Sequence, residues 1–187
     1  MRLFYQKGYT PTTIREISQE SRLTPGAIYN HFRSKDDILY SIIRWSHDEL
    51  DRDVDEALDL CPTAPTERLR AAVRAFVFRH TRFPEAARVT NREYGALASA
   101  RRLEIVERRR QIRSLFQRLI TDAMNLDGPE PRGDGGRDVT DQITAMAVIN
   151  MMIMVAEWYR EGGALNAEAV AEHHADLVVR LVMNRVA

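Results

Sequence analysis

"TPGAIYNHFRSK", Thr24 to Lys35, decides how this chain is read. A proline and a glycine, both poor helix formers, stand directly before an apolar-aromatic pattern with helical spacing. The conflict disappears if these residues start a helix rather than interrupt one. Thr24 then serves as N-cap, and Pro25 takes the first helical position, where a missing N–H leaves no bond unmade. The stretch predicts a short helix over 25–32. With Ile28 at zero and about 100° per residue, Phe32 falls beside Ile28, and the two anchor the helix to a core. Gly26 and Asn30 point the opposite way, flanked by Ala27 and Tyr29. The outward face therefore carries small side chains, one amide and one phenol.

Thr13 followed by Glu16 is a capping-box signature, predicting a helix over 13–22 with Ile14 and Ile17 on its buried face. Downstream, Ser34 caps a third helix, with Asp36 and Asp37 in its first turn, near the positive dipole end. Two short helices joined by a tight turn are the elements of a helix-turn-helix, whose second helix enters the major groove. In that role small residues let the backbone approach the duplex closely. Thr24 and Tyr29 donate to phosphate oxygens, and His31 and Lys35 are placed to pair with others. Plainer alternatives stand beside these roles. Gly26 also suits a tight-packing position, Tyr29 a half-buried aromatic and His31 a helix-end cap.

The longer segment "LFYQKGYTPTTIREISQESRLTPGAIYNHFRSKDDILYSII", Leu3 to Ile43, closely resembles the DNA-binding region of TetR/AcrR-family transcriptional regulators. The Gly-Tyr before the first motif helix, the Thr-Pro-Gly-Ala-Ile-Tyr-Asn-His-Phe core and the Ser-Lys-Asp-Asp opening match in order. The resemblance implies a homodimeric, ligand-responsive DNA-binding protein, usually a repressor acting at a near-palindromic operator. By matching position it assigns DNA contacts to Thr13, Arg15, Thr24, Pro25, Gly26, Tyr29, His31 and Lys35; Asn30 joins them from the outward face. Family members usually carry further residues before this segment. The expectation is therefore a truncated first helix or a start assigned too late.

The bulk numbers allow this reading without demanding it. The chain has 187 residues, 44% apolar and 29% charged, with zero net charge. It is long enough to bury a core without disulfides or metal. The single cysteine, Cys61, forms no internal disulfide, which fits a cytoplasmic location. The most apolar window, Ile143 to Tyr159, is interrupted by Asn150 and Glu157 and reads as a buried helix rather than a membrane span. Charge is unevenly distributed. Met1 to Lys35 holds six basic residues against two acids, a balance of +4, whereas Asp36 to Leu60 holds nine acids against two arginines, a balance of −7. Such a head suits phosphate binding at one end, and chance surface patterning explains the same imbalance.

Helical periodicity continues to the C-terminus, and strand patterns are absent. The expected helices cover 35–60, 66–82, 85–97, 101–124, 139–160 and 167–186, with a loop over the Gly- and Pro-rich 125–138. The expected architecture is all-α: a helix-turn-helix head over 1–45, then a larger bundle over 46–187 that binds ligand and dimerises. Broad apolar faces, with Val148, Met152 and Val155 on one helix and Ala171, Ala175, Leu177, Val178, Leu181 and Val182 on the other, suit a four-helix dimer seam.

"MMIMVAEWYREGGALNAEAVAEHHADLVVRLV", Met151 to Val182, resembles the end of regulators of fatty-acid and sterol breakdown, a branch whose effectors are often acyl-CoA thioesters. Candidate ligand residues are Arg88 and Arg92 for phosphates, Met151 and Met154 for an apolar tail, and Trp158 for a ring. A plain core, a solvated arginine face and a core or dimer anchor explain the same residues. The rival class is an enzyme or a helical small-molecule-binding protein without DNA binding. Neither a P-loop nor a GxGxxG occurs. Cys61 has no nearby activating His. His173 and His174 point about 100° apart, so no metal site is expected there, and no cofactor.

Overall fold

The computed structural model describes residues 1–61, 64–124 and 134–183, without the side chains of 134–138, 140 and 141. Every regular element among the described residues is helical: α1 (Arg2–Lys7), α2 (Ile14–Glu20), α3 (Pro25–Tyr29), α4 (Lys35–Asp59), α5 (Pro65–Arg82), α6 (Pro84–Glu93), α7 (Ser99–Met124), α8 (Asp134–Trp158) and α9 (Ala167–Met183). None of these helices is long and apolar enough to cross a membrane.

Local signals explain most boundaries. Thr13, Thr24 and Ser34 start α2, α3 and α4 as N-caps, their hydroxyls accepting from the amides of Glu16, Ala27 and Asp37. Asn166 does the same for α9 through the Glu168 amide at 2.7 Å. The two motif helices are shorter than their periodicity suggested. α2 stops because Arg22 turns left-handed, at φ 56°. Beyond Tyr29 the chain tightens, with the His31 amide donating to the Ile28 carbonyl three residues back. A single 3₁₀ turn, Tyr94–Ala96, replaces the end of the helix expected over 85–97. Of the loop expected over 125–138, residues 125–133 lie outside the described residues, and α8 already begins at Asp134.

The chain divides into two compact units. The first comprises Met1–Glu49 and Glu85–Arg108. Its core gathers Phe4, Ile28, Ile38, Leu39, Ile43, Val89, Leu97 and Ile105, with Ile14, Ile17 and Phe32 packed against it. The second comprises Leu50–Pro84 and Arg109–Ala187. There α5 packs mainly on α9 and also on α8. Phe76 of α5 meets Phe116 of α7 edge-on, at 5.7 Å between ring centroids. Arg70 pairs with Asp176 and Glu172, tying α5 to α9 along its wet edge.

His80 of α5 lies inside this second unit, stacked on Phe76 with ring centroids 4.4 Å apart. Burial pushes its pKa down to about 4, against a weaker opposing pull from the Phe76 carbonyl. The native ring is neutral, whereas the unfolded ring takes a proton below about 6.5. The unfolded state thus binds more protons across this window, and stability falls as pH falls. Between pH 7 and pH 5 this group should remove about 2 kcal/mol, and urea unfolding of His80→Leu should show that much less acid sensitivity than the wild type. At fixed pH 7, Phe116→Ala, at a fully buried position, should lower unfolding free energy by about 3–5 kcal/mol. Leu60→Ala, at a position 88% exposed, should change it by less than about 0.5 kcal/mol.

Candidate nucleic-acid interface

The helix-turn-helix is assembled from short-range bonds. The capping box predicted at Thr13 is complete: the Glu16 amide donates to Thr13 Oγ1 at 3.2 Å, and the Thr13 amide donates to Glu16 Oε2 at 2.9 Å. Thr13 also gives its hydroxyl proton to Glu16 Oε2, so its side chain is committed to the cap. Lys7 of α1 reaches the other carboxylate oxygen at 2.6 Å. Lys7 first, then the two Thr13 donors, hold the Glu16 carboxyl down to about pKa 2. In the turn, Arg22 occupies a left-handed conformation where glycine is usual, and the Leu23 amide closes onto the Ser18 carbonyl at 2.9 Å.

α3 is oriented by Ile28, which is only 6% exposed. The opposite face meets solvent: Thr24, Pro25, Gly26, Tyr29, Asn30 and His31 are all exposed, as is Arg15 on α2. Two of the plainer alternatives bear on this face. Tyr29 is 54% exposed, with about half of its surface open to solvent. A Cβ built on Gly26 would meet nothing nearer than Thr24 Oγ1 at 3.8 Å, so tight internal packing does not demand glycine there.

Lys35, expected to pair with a phosphate, is engaged within the protein. Its ammonium donates to three backbone carbonyls, those of Tyr9 at 2.8 Å, Thr10 at 3.0 Å and Thr12 at 2.7 Å. It also lies 4.3 Å from the Tyr9 ring centroid.

The five candidate ligand residues are divided between the two units. Arg88 is buried on α6, donates to the Tyr5 hydroxyl and lies over the Tyr5 ring. Arg88 and Arg92 line a cleft of about 260 Å³ with Tyr5, Lys7, Gly8 and Glu93, inside the first unit. Met151, Met154 and Trp158 belong to α8 in the second. Met151 packs against that core, Met154 is exposed, and Trp158 stacks on His174 at 6.1 Å. The second unit also carries an open groove of about 720 Å³, floored by Ala57, Ala71 and Ala75, with Asp53, Glu56 and Glu168 against one arginine, Arg74. Among the arginines of α7, Arg101 pairs with Asp36 and Asp37, and Arg108 with Asp48. The sequence did hold a signal for this: the acid-rich run after Lys35 needs cations, and the 101–113 run supplies them. Beside His173 and His174, Asp176 is taken by Arg70, and His174 Nδ1 lies 2.8 Å from the Val170 carbonyl.

The apolar seam also shifts. Val148, Met152, Val155, Ala171, Ala175, Val178 and Val182, expected at a dimer surface, are buried in the second unit's own core. The large apolar side chains left exposed are Val139, Ile143, Met146, Met154 and Trp158 on α8, with Leu177 and Leu181 on α9.

The Glu16 geometry has a measurable consequence. Its native pKa lies below the unfolded value of about 4.5, so its contribution is complete above that pH and disappears as pH falls toward 2. Thermal unfolding of Glu16→Gln should therefore show a flatter pH dependence between these limits. Thr13→Ala, which removes the reciprocal cap, should lower stability by about 0.5–2 kcal/mol at neutral pH.

Known proteins share this arrangement. Residues 1–42 match the model for bacterial regulatory proteins of the tetR family, and residues 62–182 match the tetracyclin repressor-like C-terminal domain. The transcriptional repressor KstR2 of Mycolicibacterium smegmatis is 23% identical over 182 residues, covering 95% of this chain and 83% of its own. A tetR-family regulatory protein from Rhodococcus RHA1 superimposes with a TM-score of 0.82 at 26% identity, over 97% of this chain and 92% of that one. AibR, solved with isovaleryl coenzyme A and operator DNA, superimposes with a TM-score of 0.78 at 23% identity, over 96% and 91%.

Proposed function

We propose that this chain, which belongs to the TetR family of bacterial regulatory proteins, is a homodimeric repressor that leaves its operator when a small acyl-CoA thioester binds. The family is one of regulators, not enzymes. The observation that carries the DNA-binding reading is the outward face of α3. It presents Thr24, Gly26, Tyr29 and Asn30 to solvent, while Ile28 alone among its side chains is buried. Gly26 has no internal reason to lack a side chain, and a helix backbone that must approach duplex DNA closely supplies an external one.

The exposed apolar side chains on α8 and α9 support a two-fold seam between copies. A dimer places its two reading helices about 34–36 Å apart, one turn of DNA, and so demands a near-palindromic site. The acyl-CoA effector rests on the likeness of the C-terminal segment to regulators of lipid breakdown and on the isovaleryl coenzyme A that AibR holds. Its action is a population shift. The effector binds the released geometry more tightly than the DNA-bound one, by about 1–3 kcal/mol, and α4 carries the change. The place of action is the cytoplasm, where operator and thioester meet.

Selection of duplexes from a randomised pool by the full chain tests the reading. The expected result is enrichment of a near-palindrome, binding that weakens steeply with salt, and release by isovaleryl-CoA or a longer acyl-CoA. No enrichment at low salt would overturn it; enrichment without release by any acyl-CoA would overturn the effector alone. Gly26→Leu should leave the unfolding free energy within about 0.5 kcal/mol of wild type yet weaken operator binding about tenfold or more. Met154→Glu should leave the subunit folded while sedimentation moves it to the monomer mass.

A further inference from the structure

The loop between α1 and α2 has an unusual acceptor geometry. α1 has ended at Lys7 and α2 begins at Ile14 with Thr13 as its cap, so the carbonyls of residues 8–12 belong to no helix. Gly8 turns left-handed at φ 82°, and Thr12, 1% exposed, donates its hydroxyl back to the Gly8 carbonyl at 2.7 Å. In this loop the carbonyls of Tyr9, Thr10 and Thr12 converge on one point, and the Lys35 ammonium fills it, at 2.7–3.0 Å from each. An ammonium has three N–H donors, and all three are used. The Tyr9 ring closes a fourth side through its π face.

We infer that Lys35 is a positioning residue for the DNA-binding head, and that it acts by bolting the Tyr9–Thr12 loop to the start of α4 rather than by touching a phosphate. The inference rests on the DNA-binding reading above and reassigns one of its residues. The bolted loop runs straight into Thr13, the N-cap of α2, so the bolt sets where α2 starts relative to α4. α3 lies between those two helices in sequence and packs on α2. Releasing the loop loosens the whole reading element. Lysine suits this task better than arginine. A compact ammonium sits at the meeting point of three carbonyls, whereas a planar guanidinium is too broad to enter it.

The role and its rival part on two measurements with the full chain. Without DNA, hydrogen exchange at the amides of Thr12, Glu16 and Ile17 should accelerate about tenfold or more in both Lys35→Met and Lys35→Arg, while α5 and α9 amides keep their protection. With a duplex selected by the wild type, both variants should bind about tenfold or more weakly, and the slope of log affinity against log salt should stay at its wild-type value. A phosphate contact predicts the opposite pattern. Lys35→Arg would bind like wild type, Lys35→Met would lower the slope by about 0.9, and loop exchange would not change. That pattern, or unchanged exchange alone, would overturn the inference. A wild-type chain that selects no duplex would sink the DNA-binding reading, and the exchange measurement would still decide whether the bolt exists.

Discussion

A helix of five residues has no stability of its own, because isolated helices shorter than about 12–15 residues are marginal in water. α3 therefore depends on one burial. Ile28 enters the first unit's core beside Phe4, Ile38 and Leu39, with Phe32 following just beyond the helix. That burial holds α3 in place and sets its rotation. Once Ile28 faces inward, Gly26 and Asn30 must face outward, and the surface offered to a partner is decided. The capping hydroxyl of Thr24 and the fixed φ of Pro25 make so short a helix possible; the apolar anchor makes it persist.

Rotation alone does not aim a helix. In this unit the aiming is done by polar bonds concentrated at the start of α4. Four consecutive residues there, Ser34 to Asp37, tie α4 to the segments around it. Ser34 caps α4 itself, and Lys35 gathers the loop before α2. Asp36 accepts from the Ala98 amide and from Arg101 at the start of α7. Asp37 accepts from Arg101 and from the Arg33 amide. The Arg101 guanidinium holds the Asp37 carboxyl below its ordinary pKa, so the pair stays ionised. Individually such solvent-screened pairs contribute little. Together they admit one mutual placement of these segments, and specificity of geometry is what a DNA-reading head requires.

The second unit is built on a different balance. Its core is apolar and deep, running from Leu50 and Val54 on α4 through Phe76, Phe116 and Met152 to Val182 on α9. From Ala145 onward α8 is apolar around most of its circumference, which suits a helix buried on one face and, in the proposed dimer, covered on another. The methionines divide accordingly: Met152 is fully buried, and Met154, two residues on, is exposed. Both were equally apolar candidates in the sequence.

What the sequence determined by itself is the set of features whose causes lie within a turn or two of chain. The all-helical class follows from period-3.6 patterning. The starts of α2, α3 and α4 follow from Thr13, Thr24 and Ser34, and the outward face of α3 from the spacing of Ile28 and Phe32. These signals are local, because a cap and its amide are three residues apart and one helical face recurs every three or four. The tertiary structure alone decided the rest. It gave the Lys35 ammonium to carbonyls 23 to 26 residues away and Arg101 to acids more than 60 residues away. It also placed Val148, Met152 and Val155 inside a core while leaving Ile143 and Met154 bare. A cation bonds whichever acceptor the fold brings within about 3 Å, and an apolar face is covered by whichever helix packs there. Neither partner is written in the neighbouring residues.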